Sequence, residues 1–177
     1  MIYRAKCGDI IFEFSVPEIS KGVVVVCEGI PNVPKQKELM THLVQHGYSV
    51  VYPRYRGTWE SRGEFLRKSP AQDIADLVSF LKKTYVKELY AGKEFSLQGP
   101  IHLIGSSFGG SVALSLAENQ DVHKIIALSP IVDFSKHNED GGEADLAILK
   151  KIFTGCISYG VPFFRTRLGY HASWRTF

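Results

Sequence analysis

The chain is poor in cysteine. Its three, Cys7, Cys27 and Cys156, are too few and too far apart for a disulfide framework, and they lack metal-ligand spacing. Free thiols in a reducing, cytoplasmic compartment are the expectation. Long apolar runs are also missing. The longest, Val23–Cys27, is far short of the about 20 residues a membrane-spanning helix needs. Arg4 and Lys6 are followed by no apolar stretch of the kind that marks a secretory leader, so no membrane partner is expected. Charge of one sign is not in excess. The 21 Lys and Arg against 18 Asp and Glu leave a net charge of +3, with the basic residues scattered. That argues against a nucleic-acid partner. There is no internal repeat and no low-complexity tract. What remains is an ordinary globular composition, 45% hydrophobic and 22% charged over 177 residues, enough for one domain with a real core. We expect a single domain over residues 1–177, with a core at 1–134 and a tail or cap-like segment at 135–177.

Residues Ile2 to Lys6 and Asp9 to Val16 read as two strands, the second alternating Ile10, Phe12, Phe14 and Val16 with Ile11, Glu13 and Ser15. The turn at Cys7-Gly8-Asp9 predicts a hairpin. Val23–Cys27 is apolar on both faces, the pattern of a central strand covered on both sides. Leu39, Met40, Leu43 and Val44 fall at helical spacing up to Gly47, and Tyr48 to Tyr52 is the next strand. After a polar loop, Ser69-Pro70-Ala71-Gln72 opens a helix with a capping-box pattern and a buried stripe of Ile74, Leu77, Val78, Leu81 and Tyr85. Ala91 to Pro100 is expected to be a connecting loop. Strand Ile101 to Ile104, turn Gly105 to Gly110, helix Ser111 to Glu118 and strand Lys124 to Leu128 follow. The alternation β, α, β, α, β, α, β from Val23 predicts an α/β fold. Its sheet is doubly wound and mostly parallel, behind an antiparallel N-terminal hairpin. Glu143 to Phe153 reads as a helix; beyond it no period is evident.

Gly105-Ser106-Ser107-Phe108-Gly109 matches G-x-S-x-G between an expected strand and an expected helix, the context that pattern requires. A nucleophile on so sharp a turn leaves no room for side chains two residues before or after it. Gly105 and Gly109 occupy those places. The turn lifts the Ser107 hydroxyl to the C-terminal edge of the sheet and aims the Phe108 N–H into the same space, where it can stabilise an oxyanion. A phosphate loop is the weaker reading, because no Lys follows Gly110.

These residues resemble an α/β-hydrolase, closest to the serine peptidase and esterase branch that includes prolyl oligopeptidase and acylaminoacyl peptidase domains. Gly105-Ser-Ser-Phe-Gly-Gly110 is similar to that branch's nucleophile turn. Arg56-Gly57-Thr58-Trp59-Glu60-Ser61-Arg62-Gly63 resembles its R-G-x-G-x-S-x-G loop, with Trp59 in place of a glycine. Arg54 stands where an Asp is common. The resemblance covers roughly Val23 to Phe134. It implies a second oxyanion donor in the loop after Val23–Cys27, where relatives often read H-G-x and this chain reads Glu28-Gly29-Ile30-Pro31. Pro31 has no N–H, so Ile30 N–H is the candidate. Glu28 is expected to be solvated or paired with an Arg such as Arg54 or Arg56; a carboxylate near a forming oxyanion would oppose it.

A serine needs a base and an orienting acid, and the resemblance implies the chain order Ser, acid, His. Of six histidines, His42 and His46 belong to a helix, and His102 and His123 lie at the wrong ends of their strands. His137 and His171 follow Ser107. Asp133 is the candidate acid and His171 the candidate base, each with a plain structural reading, as a turn or cap residue and as a solvated tail residue. The strands that carry acid and base in relatives have no clear counterpart here, so the chain is read as C-terminally shortened. The expected function is a serine hydrolase cleaving a small ester, amide or short peptide through an acyl-enzyme on Ser107. It would need no cofactor and no metal. The alternative is a non-catalytic, shortened binding or assembly module, or a fragment of a longer hydrolase. Fold does not give substrate; a thioesterase or lipase remains open, and Ser107 disfavours an Asp-nucleophile dehalogenase. The apolar load of the tail and of Lys124–Leu128 predicts a homo-oligomer.

Overall fold

A computed structural model describes residues 1–29, 33–83 and 85–131. The chain opens with β1 (Tyr3–Cys7) and β2 (Ile10–Ser15), followed by β3 (Val23–Cys27), α1 (Lys37–Gln45) and β4 (Ser49–Pro53). Then come α2 (Pro70–Lys83), the two-residue strands β5 (Val86–Lys87) and β6 (Glu94–Phe95), β7 (Ile101–Ser106), α3 (Phe108–Leu114) and β8 (Val122–Leu128). The main sheet has six strands in the order β1-β2-β4-β3-β7-β8. β1, β2 and β4 pair antiparallel; β4, β3, β7 and β8 are parallel. This is the expected doubly wound sheet behind an N-terminal hairpin.

Period-two alternation sorts the strands onto two faces. Phe12, Phe14, Val23, Val25, Val51, Ile101 and Leu103 face one way, against Ile74, Leu77, Val78 and Leu81 of α2 and Val112 and Ala113 of α3. Val24, Val26, Val50 and Tyr52 face the other, against Met40 of α1. Val23–Cys27 is buried along its whole length because helices cover both its faces. Each large apolar side chain so buried contributes roughly 1.5–3 kcal/mol.

Several elements differ from expectation. Helix α2 starts at Pro70, but Gln72 does not close a capping box: its amide donates forward to Asp76 Oδ1 at 2.8 Å, one turn on. Tyr85 is not part of the buried stripe; it lies past the helix and is 65% exposed. Ala91 to Pro100 is not all loop, because Glu94–Phe95 pairs with Val86–Lys87 in a short ribbon. Helix α3 begins at Phe108, three residues before its expected start, and ends at Leu114. β8 begins at Val122 and forms an outer strand of the described sheet, with Ile126 54% and Leu128 53% exposed. Among the described residues no helix is long and apolar enough to cross a membrane.

Candidate active site

Ser107 sits between the last residue of β7 and the first of α3, with φ 51° and ψ −125°. That backbone is unfavourable for a side-chain-bearing residue. Four hydrogen bonds brace the turn. Ser107 N–H donates to Leu128 O at 2.9 Å, tying the turn to the end of β8. Gly110 N–H and Ser111 N–H donate back to Ser107 O at 2.9 and 3.2 Å, closing the first turn of α3. Ser111 Oγ donates to Ile131 O at 2.5 Å, fixing the chain that leaves β8 beside the same turn.

The glycine requirement is steric. A Cβ on Gly105 would lie 2.2 Å from Gly109 O, and one on Gly109 would lie 2.1 Å from Cys27 O and 2.6 Å from Glu28 O. The turn is therefore packed backbone against backbone on the end of β3. Gly29 closes on it from the other side: a Cβ there would be 3.1 Å from Ser106 O and 3.8 Å from Ser107 Cβ.

The Glu28 side chain does not pair with Arg54 or Arg56. Its Oε1 accepts Gly29 N–H at 3.2 Å, and Gln36 Nε2 donates to both carboxylate oxygens at 3.3 and 3.4 Å. Arg54 is instead buried in a network with Glu13 at 3.0 Å and Glu60 at 3.7 Å, its guanidinium 4.3 Å above the Tyr52 ring. Arg56 grips α2. Its backbone N–H donates to Asp73 Oδ2 at 2.8 Å, and its guanidinium pairs with Asp73 and, at 2.8 Å, with Asp76. Burial raises the Asp73 carboxyl despite that grip, whereas hydrogen bonds from Gln72 and Arg56 outweigh burial and lower Asp76. The Arg-Gly loop is thus anchored to a core helix. Within it Gly57 has φ 73°, and a Cβ there would meet Phe65 N at 2.2 Å. Ser61 Oγ donates to Arg54 O at 2.8 Å and accepts Ile11 N–H at 2.9 Å. Trp59, where the resemblance led us to look for glycine, adopts glycine's backbone with φ 50°.

The loop also carries two core aromatics that pack on the residue after the serine, which sequence reasoning missed. Tyr55 and Phe65, 2% and 4% exposed, pack on Phe108 with ring centroids 5.9 and 6.4 Å away. Tyr55 Oη donates to Glu28 O at 3.0 Å. Only the aromatic at each position was visible in sequence; that one loop and the start of α3 bring them together was not.

Ile30, Asp133, His137 and His171 lie outside the described residues. Four histidines lie within them. His102 stands five positions before Ser107 in β7, about 16 Å along an extended strand. His123, 5.3 Å from the His102 ring, shares that end of the sheet. His42 lies on α1 and His46 is its C-cap, their rings 4.3 Å apart, where Gly47 leads into β4. All four belong to the edge opposite Ser107 or to α1. The Cys27 thiol, beside the turn, is pushed up to about 12 by complete burial, so it is no competing nucleophile. Among the described residues no group of three His, Cys, Asp or Glu is placed to hold a metal.

A strained serine at the strand–helix turn of a doubly wound sheet, flanked by two obligate glycines, defines an α/β hydrolase fold. Solved structures agree. The chain is similar to an esterase of Pyrococcus furiosus (TM-score 0.63, 19% identity, covering 92% of this chain and 59% of that one). It is similar also to the alpha/beta hydrolase GrgF from Penicillium sp. sh18 (0.58, 20%, 85% and 51%) and to an alpha-beta serine hydrolase homologue from Coxiella burnetii (0.56, 18%, 73% and 62%). It spans less than two-thirds of the length of each. No curated protein matches the chain. Residues 25–148 match the X-Pro dipeptidyl-peptidase (S15) family, and the chain belongs to that family.

Proposed function

We propose that this chain carries the nucleophile half of a serine hydrolase. It would cleave a small ester, amide or short peptide through an acyl-enzyme on Ser107. The observation that carries the reading is the Ser107 backbone, φ 51° and ψ −125°, held between Gly105 and Gly109 at the end of β7. Such strain survives only where the surroundings impose it. In this reading Phe108 N–H and Ile30 N–H bind the oxyanion, Asp133 is the acid and His171 the base. Kinship to the prolyl oligopeptidase branch is supported by the Arg56–Gly63 loop. The S15 family name makes an X-Pro dipeptide ester or amide the first substrate to try.

A fluorophosphonate probe tests this. It should label Ser107, and Ser107→Ala should abolish labelling; His171→Ala should slow it at least 100-fold, the scale of a general base. Turnover that survives Ser107→Ala would show the nucleophile to be another residue.

A second reading, a non-catalytic hydrolase-like module, is favoured by the four described histidines, which belong to the far edge of the sheet or to α1. It predicts hydrolysis at background for wild type and Ser107→Ala alike.

A further inference from the structure

We infer that Tyr55 is a positioning residue for the oxyanion loop, acting through its hydroxyl on the Glu28–Gly29 peptide; this rests on the hydrolase reading. Its hydroxyl donates to Glu28 O at 3.0 Å, and the residue is 2% exposed. A peptide unit is rigid and planar, so holding the carbonyl oxygen of Glu28 also holds Gly29 N and Cα. Gly29 is the residue that lies against Ser106 O and Ser107 Cβ, and the expected second oxyanion donor, Ile30 N–H, is its neighbour. The same Glu28 oxygen lies over Gly109. Tyr55 therefore ties the loop after β3 to the turn that carries the nucleophile.

The phenol is itself held firmly. Thr58 N–H and Oγ donate to Tyr55 O at 3.0 and 2.7 Å. The next residue's N–H is taken by Asp73. The Tyr55 ring meets Phe108 edge-on at 82°. Burial, with Cys27, Glu28 and Asp73 nearby, keeps the phenol well above its ordinary value, so the donor proton stays on throughout the working pH range.

Tyr55→Phe removes the hydroxyl and keeps the ring packing. Two readouts on the intact chain test the proposal. Amide hydrogen exchange should accelerate at least tenfold across Cys27–Gly29 while β1 and β2 keep wild-type protection. The second-order rate of fluorophosphonate labelling should fall at least tenfold. On a turned-over ester, kcat should fall with KM unchanged. Wild-type exchange in Cys27–Gly29 would overturn the inference, and so would acceleration spread over β1 and β2, which is global loosening. Absence of labelling in the wild type would refute the hydrolase reading instead, and exchange at Cys27–Gly29 alone would then decide the positioning role.

Discussion

Gly109→Ala separates helix propensity from close packing. Gly109 is the second residue of α3 and is fully helical. At an open helical site alanine would stabilise by about 1 kcal/mol over glycine. Here the new Cβ would lie 2.1 Å from Cys27 O and 2.6 Å from Glu28 O. An unstrained C···O contact needs about 3.3–3.6 Å, so α3 and the end of β3 must part by roughly 1.2 Å. Both clashing groups are backbone, and neither can rotate away. Overpacking of this kind costs roughly 1–3 kcal/mol, and here it would also strain the Tyr55–Glu28 and Ser107–Leu128 bonds. A net loss of about 2 kcal/mol is expected, a fall in Tm of about 4–8 °C for a domain of this size. Gly110→Ala is the control. Its nearest neighbour would be a proline ring carbon at 3.1 Å, and its effect should stay within about 1 kcal/mol. Thermal unfolding followed by circular dichroism measures both. A Gly109→Ala protein melting at or above wild type would refute the close approach of the turn to β3.

Arg56→Ala should destabilise by about 3 kcal/mol, because it strips the guanidinium from Asp73, whose side chain is 4% exposed, and leaves the backbone N–H of residue 56 on that buried charge. Asp76→Asn, at a side chain 35% exposed, should cost under about 1 kcal/mol by urea titration; equal effects would refute the distinction. His102 is held below its ordinary 6.5, first by burial and then by His123 and Lys124. The unfolded chain therefore binds the proton more readily, and stability should fall as pH drops through about 6.5 toward the lowered folded value. His102→Gln should remove that part of the slope in urea melts between pH 8 and 5.5; an unchanged slope would refute it. For the outer strand β8 we propose pairing with a second copy, which would cover Ile126 and Leu128. Light scattering at micromolar concentration should give a dimer mass, Ile126→Lys should return a monomer, and a monomeric wild type would refute the pairing.

Much of the fold was legible because local patterns and tertiary demands coincide. The all-apolar Val23–Cys27 run needs two covering layers and has them. The stripe Ile74, Leu77, Val78 and Leu81 recurs at helical spacing and is buried. G-x-S-x-G marked the turn because Gly105 answers a backbone contact with Gly109, four residues on; that Gly109 also packs on Cys27 O and Glu28 O was not legible. Less local features were not legible. The Arg56–Asp73 grip joins residues 17 apart and the Tyr55–Glu28 bond residues 27 apart. Charge alone made Glu28 as plausible a partner for Arg56 as Asp73.

The sequence by itself determined the alternation of strands and helices, the hairpin and the position of the serine turn, because each follows from short-range periodicity or from a steric rule within a few residues. Only the tertiary structure decided which carboxylate each arginine takes, that Trp59 would adopt a glycine conformation, and that Tyr55 and Phe65 would pack on Phe108, the residue after Ser107. Those outcomes depend on how β3, β4 and β7 lie side by side, an order set by burying both sheet faces at once rather than by any one segment of chain.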